Sequence, residues 1–250
     1  MEDATAALEE ARKLVRSAGR IVVLTGAGAS AESGIPTFRD ARTGLWARFD
    51  PRQLASPEGF ADNPGRVWDW YQWRRTLIGR SAPNAGHRAL AALQQRRPDL
   101  VLITQNVDGL HQQAGSSGVL ELHGNIQRTI CSVTGRVIDE AWLTAHADDH
   151  PPLSPHHVEG LARPDVVWFG EALPPDVLEN AFEVAAACDL MLVVGTSGDV
   201  HPAASLPVIA RDHGATVIDI NPEPGPIARI ADLQIALPGA EALPRLLATG

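Results

Sequence analysis

The chain has 250 residues, of which 44% are apolar and 20% charged, with a net charge of −9. This is ordinary globular composition, in a length that suits one α/β domain or one domain with a smaller insertion. No Lys/Arg run stands out, so no direct nucleic-acid partner is expected, and no apolar run of about eighteen residues or more offers a membrane span. Two cysteines, Cys131 and Cys188, exclude a disulfide framework and any zinc site built from four thiolates of one chain.

The N-terminal stretch MEDATAALEEARKLVRSAG reads as a polar amphipathic helix and not as a signal peptide, so a cytoplasmic protein is expected. Next comes IVVLTG (21–26), a Val/Ile-rich run too short for a helix. Residues 41–80 read as mainly helical and aromatic-rich, with Trp46, Trp68, Trp70, Tyr71 and Trp73. A helical pattern at 83–96 precedes the apolar run LVLITQN (100–106). Residues 126–165 are rich in Pro, His and Asp, with little periodicity. Helical patterns at 174–187 and 202–213 then alternate with LMLVVGTS (190–197) and TVIDINP (216–222). Continuous apolar runs imply strands covered on both faces, and their alternation with helices implies a doubly wound parallel, Rossmann-like sheet. The expected organisation is a Rossmann-like domain from residues 1–40, 81–125 and 166–250. The insertions at 41–80 and 126–165 would form a smaller second lobe.

In such sheets ligands bind beyond the carboxyl ends of the strands. GAGAS, TQNVDG, GTSGD and INPEP all fall there. The first of these, Gly26-Ala27-Gly28-Ala29-Ser30, can set bare backbone N–H groups against a pyrophosphate, with glycine leaving room for the ligand. Its spacing, G-x-G-x5-G, departs from the dehydrogenase fingerprint, and G-x-G loops also serve as plain tight turns. The loop alone leaves both readings open.

Six segments occur in order: GAGASAESGIPTFR, TQNVDGLH (104–111), ELHGN (121–125), VVWFGEALP (166–174), GTSGDVHPA (195–203) and INPEP (220–224). Together they closely resemble the sirtuins, NAD-dependent protein deacylases, from about residue 12 to the C-terminus. The resemblance implies a reaction that consumes NAD. An acylated lysine's carbonyl oxygen displaces nicotinamide from the ribose, a histidine takes a proton from a ribose hydroxyl, and lysine and O-acyl-ADP-ribose are released. By resemblance that histidine is His123, and imidazole suits the task because its ordinary pKa lies near neutrality. Asn106 and Asp108 resemble the pair that fixes the nicotinamide carboxamide, an arrangement an amide and a carboxylate can provide; Asp108 also stands where it could cap the following helix. Gln105 resembles the contact to the nicotinamide ribose. Gly26, Ala27, Gly28 and Ser30 belong to the glycine loop, with Phe38 over the nicotinamide end on a loop that must move and Arg39 near the phosphates. Gly195, Thr196 and Ser197 resemble the adenosine-ribose and phosphate loop, and Asn221 resembles the residue holding the adenosine ribose. Val167, Phe169, Gly170 and Glu171 resemble the segment whose backbone pairs with an extended peptide. His111 is expected to be structural and His87 to lie on a helix face.

Tyr71 and Arg74 share a face if 64–79 is helical. Arg offers a planar fork to a carboxylate and Tyr a hydroxyl donor. The pair resembles that of the sirtuin subgroup (class III, here of bacterial type) that removes succinyl and malonyl groups, and Ala55 matches the small residue widening its acyl pocket. The family's structural zinc uses two cysteine pairs. Here the first pair reads Cys131-Ser132-Val133-Thr134, and LSPHHVEG stands where the second belongs. A metal-free lobe is expected, held instead by Ile130, Val137, Ile138, Trp142 and Leu143. His146, His150, His156 and His157 match no standard zinc spacing. The partners implied are acylated-lysine proteins. Two other functions share the NAD site: ADP-ribose transfer to protein or NAD hydrolysis, against which the retained FGEALP and Tyr71/Arg74 argue, and a silent NAD sensor, against which His123, Asn106 and Asp108 argue.

Overall fold

The computed structural model describes residues 2–37 and 50–248. Phe38 and Arg39, and Trp46 of the first insertion, lie outside them. A six-stranded, all-parallel sheet forms the centre. It is built from β1 (Ile21–Thr25), β2 (Val101–Thr104), β3 (Leu120–Glu121), β6 (Leu190–Val194), β7 (Thr216–Ile220) and β8 (Leu233–Ile235). Their order across the sheet is β3-β2-β1-β6-β7-β8. A two-stranded antiparallel sheet pairs β4 (Gly124–Cys131) with β5 (Ala162–Val166).

Alternation along the strands divides the core. Ile21, Val23, Leu102, Leu190, Leu192, Ile218 and Ile220 face one layer of helices. That layer contains α1 (Glu2–Ser17), α5 (Ala85–Arg96) and α10 (Gly239–Leu247), which bury Leu8, Leu90 and Leu243 among others. Val22, Leu24, Ile103, Met191, Val193 and Val217 face the other. There α8 (Pro175–Ala187) contributes Ala181 and Ala185, and α9 (Leu206–Asp212) contributes Leu206 and Ala210. Covered on both faces, the central strands have no polar alternation to show, which is why their sequences read as unbroken apolar runs.

Between β1 and β2 the described residues form three helices, α2 (Pro51–Leu54), α3 (Pro57–Asp62) and α4 (Pro64–Ile78), before α5. Each opens with proline, whose missing N–H costs nothing at a helix start. α4 buries Val67, Trp68, Trp70, Tyr71, Arg74 and Ile78, more than one stripe, because two clusters grip it. Tyr71 and Trp70 pack with Phe60, Val107, Ile126 and Trp168; Trp68 packs with Ile138, Ala162, Trp142 and Leu143. Arg75 ties α4 to β4, its Nε donating to the Ile126 carbonyl at 2.6 Å. Two short helices complete the set, α6 (Leu110–Gln113) and α7 (Glu140–Ala145).

Two of the five side chains expected to hold the small core, Ile130 and Val137, are not in its cluster, and Val137 is 58% exposed. Its backbone bridges Ile130 in an antiparallel pair, and alternation then turns Ile138 inward and Val137 outward. No helix among the described residues is long and apolar enough to cross a membrane.

Candidate active site

The sheet reverses its strand order between β1 and β6: the chain leaves β1 for β2 on one side, and β6 pairs on the other. A crevice opens there at the carboxyl ends. The two glycine-bearing loops meet across it. Gly26 N–H donates to the Val194 carbonyl at 3.0 Å, and Gly28 N–H to the Gly195 carbonyl at 2.8 Å. A Cβ on Gly28 would stand 2.8 Å from both Gly195 Cα and Gly195 O. Gly26 has φ −125°, so these glycines are needed for close approach and not for left-handed backbone. The neighbour that excludes their side chains is the Gly195–Thr196 loop of the same chain. Room for a ligand, the expected reason, is therefore not what removes the side chains.

The residues expected from β2 join this crevice. Gln105 Nε2 donates to Thr196 Oγ1 at 2.9 Å, and Asn221 Nδ2 donates to the Thr196 carbonyl at 3.0 Å. Loops following β2, β6 and β7 are thus stitched through one threonine. Ser197, between Gly195 and Gly198, is exposed. Asn106 Nδ2 donates to the Gly26 carbonyl at 2.9 Å and to Ser30 Oγ at 3.1 Å, while Ser30 Oγ donates to Asp108 Oδ2 at 2.8 Å. Asp108 Oδ1 accepts the Leu110 N–H at 2.9 Å, so it also secures the start of α6. Asn106, Asp108, Ala27, Ser30, Val107 and Arg74 line one small cavity.

His123 follows β3. Its Nδ1 lies 2.9 Å from the Gln105 carbonyl oxygen. A carbonyl can only accept, so Nδ1 carries the proton and Nε2 keeps a free lone pair. Burial pushes its pKa below the ordinary 6.5, and the Gln105 carbonyl partly opposes this. The ring is therefore held neutral, with its basic nitrogen fixed by geometry. Gly124 comes next, at φ +79°, with room for no Cβ: one would lie 2.2 Å from the Asp165 carbonyl. Only glycine lets the chain leave His123 and enter β4 there.

The Val167 N–H donates to the His123 carbonyl at 3.0 Å, and the Phe169 N–H to the Ala55 carbonyl at 2.9 Å. Glu171 N–H donates to the Trp168 carbonyl at 3.0 Å, closing a turn with Gly170 at φ +90°. The backbone donors of Val167, Phe169 and Glu171, expected to meet a peptide, are thus engaged within the chain. The carboxylate of Glu171 grips Arg163 through two bonds, at 2.6 and 2.9 Å, and accepts the Trp168 N–H at 2.8 Å. Arg163 in turn lies 3.4 Å from the Trp168 ring centroid. Arg163 and Trp168 carry this structure and were not expected from the sequence. Trp168 Nε1 donates to Tyr71 Oη at 3.0 Å, and the Arg74 guanidinium lies 5.5 Å from the Tyr71 ring. Ala55, Tyr71 and Arg74 are all buried, beside the loop that carries Asn106.

The small lobe lacks the ligands that a structural zinc needs. Burial pushes the Cys131 thiol up, but hydrogen bonds from Ser154, Thr134 and backbone N–H groups outweigh it and bring it to about 7. Its neighbours are hydroxyls, where a structural zinc site needs thiolate or imidazole ligands. The four histidines expected nearby are engaged elsewhere. His146 stacks on Trp142, His150 Nδ1 meets Asp69, His156 Nε2 meets the Val137 carbonyl, and His157 Nδ1 accepts the Glu159 N–H. Among the described residues no group of three metal-binding side chains converges. These residues do not fit zinc.

The family model that matches is that of the Sir2 family, over residues 26–202. The chain belongs to the Sir2 family. It is 52% identical to the "NAD-dependent protein deacylase" of Aquifex aeolicus (strain VF5), over 85% of this chain and 87% of that one. It is 50% identical to the protein of the same description from Ralstonia nicotianae, over 97% of each. The crystal structure of a Sir2 homologue–NAD complex superposes with a TM-score of 0.85 at 43% identity, covering 96% of this chain and 92% of that one. A Sir2 structure holding a p53 peptide and NAD+ superposes with a TM-score of 0.84 at 32% identity, covering 96% and 97%. As a Sir2 chain it has the expected α/β fold with a parallel sheet, which has six strands, and a small antiparallel sheet beside it that was not expected.

Proposed function

We propose that this chain is an NAD-dependent protein-lysine deacylase that releases nicotinamide and O-acyl-ADP-ribose and prefers succinyl and malonyl over acetyl groups. The observation that carries the reading is the convergence of a neutral imidazole with a free Nε2, an amide and a carboxylate on the crevice where the sheet reverses. NAD supplies the ribose carbon that accepts the acyl oxygen. Gly26, Ala27, Gly28, Gly195, Thr196, Ser197 and Asn221 border the side where its adenosine and phosphates would lie, with Phe38 and Arg39 assigned there by sequence alone. Gln105, Asn106, Asp108 and Ser30 border the nicotinamide side. His123 takes a proton at Nε2, its Nδ1–H anchored on Gln105.

Arg74 supports the acidic preference. It is 5% exposed and borders the cavity shared with Asn106 and Asp108, a charge placed where a chain ending in carboxylate could reach it. Ala55 and Tyr71 belong to the same buried cluster. The Val167–Glu171 segment would offer its remaining carbonyls, and the exposed ring of Phe169, to an acylated protein. The small lobe is held without metal, by the Trp68 cluster and the hydroxyl cage of Cys131. Incubation with NAD and acetyl-, succinyl- or malonyl-lysine peptides tests the reading. Peptide-dependent nicotinamide release, fastest with the acidic acyl groups, is expected. Release without peptide would mean NAD hydrolysis, no release an NAD sensor, and either overturns the proposal.

A further inference from the structure

Behind the Asn106–Asp108 loop lies a chain of hydrogen bonds with no surface outlet. His111, in α6, is 1% exposed. Its Nε2 lies 2.9 Å from Thr25 Oγ1, at the end of β1. Thr25 Oγ1 donates to Thr104 Oγ1 at 2.8 Å, across the in-register Thr25–Thr104 pair of β1 and β2. Thr104 Oγ1 accepts the backbone N–H of Asn106 at 3.0 Å.

The unpartnered ring nitrogen fixes the roles. A threonine hydroxyl has one proton. A proton on the buried and unpartnered Nδ1 of His111 would be a donor with no acceptor, so the neutral ring carries it on Nε2 and donates to Thr25, whose own proton goes to Thr104. Nδ1 of the neutral ring is then a bare lone pair, and that atom is buried with no hydrogen-bond partner among the described residues. A charged ring would have to place a second N–H there, beside the His87 ring, whose centroid is 4.7 Å away. His87 is itself committed. Its Nδ1 accepts the Asn84 N–H at 3.3 Å, which leaves Nε2–H toward Ser30 Oγ at 3.4 Å. The two rings reach the same loop by separate routes, one through Thr25 and Thr104, the other through Ser30.

The geometry points to His111 as a positioning residue for the nicotinamide side of the site: a permanently neutral Nε2–H donor that fixes the Asn106 backbone through two threonine hydroxyls. This rests on the proposed role of Asn106 and Asp108 toward nicotinamide. Burial, and then the neighbouring His87, hold the His111 pKa down at about 3, in keeping with a ring that never charges.

The test uses the full chain in its wild-type, H111L, H111Q, T25V and T25V/H111L forms. In the wild type, 15N-histidine NMR should show the His111 imidazole, assigned by the signal that H111L and H111Q lack, with an Nε2–H that does not titrate between about pH 5 and 8, where an ordinary histidine does. Leucine removes the donor at similar bulk, whereas glutamine keeps an N–H. The expected result for H111L is a rise of about tenfold in the KM for nicotinamide in base exchange, with the KM for acyl peptide within about threefold. H111Q should recover most of that loss. T25V should match H111L, and the double variant should be no worse than either. An Nδ1–H tautomer at His111, titration of His111 near neutrality, equal shifts in both KM values, or H111Q no better than H111L would overturn the proposal. If H111L does not fold, the tautomer and H111Q decide. A wild-type chain that exchanges no nicotinamide overturns the functional reading and this proposal together, whereas exchange unaffected in H111L overturns this one alone.

Discussion

Replacing Asp219 with asparagine should stabilise the protein at neutral pH and flatten its pH dependence. Asp219 lies in β7 between β6 and β8 and is 1% exposed. Its register neighbours are Val193 and Gln234, and neither carboxylate oxygen has a hydrogen-bond partner among the described residues. Strand alternation puts it on the face of Val217, under α8 and α9. Burial alone raises its pKa from 3.8 to about 6. Each pKa unit is worth about 1.4 kcal/mol, so ionising the group in the folded protein costs at most about 3 kcal/mol. The sign follows from proton affinity. The folded state holds this proton more tightly than the unfolded state does. The resulting stability is full below the unfolded value near 4 and is lost as pH rises through 6. Urea unfolding of both proteins between about pH 4 and pH 8 measures it. The stability of D219N minus that of wild type should grow by about 2–3 kcal/mol across that range. A difference that does not change with pH, or a variant less stable than wild type at pH 8, would refute the reasoning.

The remaining predictions concern the site. Tyr71→Phe leaves the buried Trp168 indole N–H without its acceptor and should cost about 1–3 kcal/mol in denaturant unfolding. Arg74→Met should lower desuccinylation at least tenfold more than deacetylation, and equal losses would count against the acidic pocket. Gly28→Ala drives a Cβ into the Gly195 backbone; it should destabilise by about 1–3 kcal/mol and raise the KM for NAD. The acid limb of kcat/KM should fall below pH 6.5, because burial holds His123 neutral to lower pH than a free imidazole; a limb at or above 6.5 would contradict that tautomer and burial. Elemental analysis after mild chelation should find no stoichiometric zinc and no change in Tm, since Cys131 is surrounded by hydroxyls.

Much of this was legible because the sheet is covered on both sides. β1, β2, β6 and β7 announce themselves as apolar runs ended by Gly, Asn or Thr, and those endings are the site loops. β3 and β8 could not be read, since strands of two and three residues carry no pattern. The glycine loop was legible as a close approach, but its partner was not. That Gly195 fills the space follows only from the β1–β6 register. The same limit hid the Thr25–Thr104–His111 chain, whose members are ordinary in sequence and meet through strand pairing. Glu171 was legible as part of FGEALP, yet its grip on Arg163 depends on the turn at Gly170. His87 looked like a helix-face residue; its place three residues after Asn84 makes it half of a capping box, buried at 2%.

The central claim is that one neutral imidazole takes the ribose proton in the crevice between β1 and β6. Mass spectrometry of the products formed by His123→Ala from NAD and an acyl-lysine peptide, at concentrations where the variant demonstrably binds NAD, tests it most directly. The wild type should form O-acyl-ADP-ribose and the variant none above background; formation by the variant at a near-wild-type rate would mean that His123 is not the base.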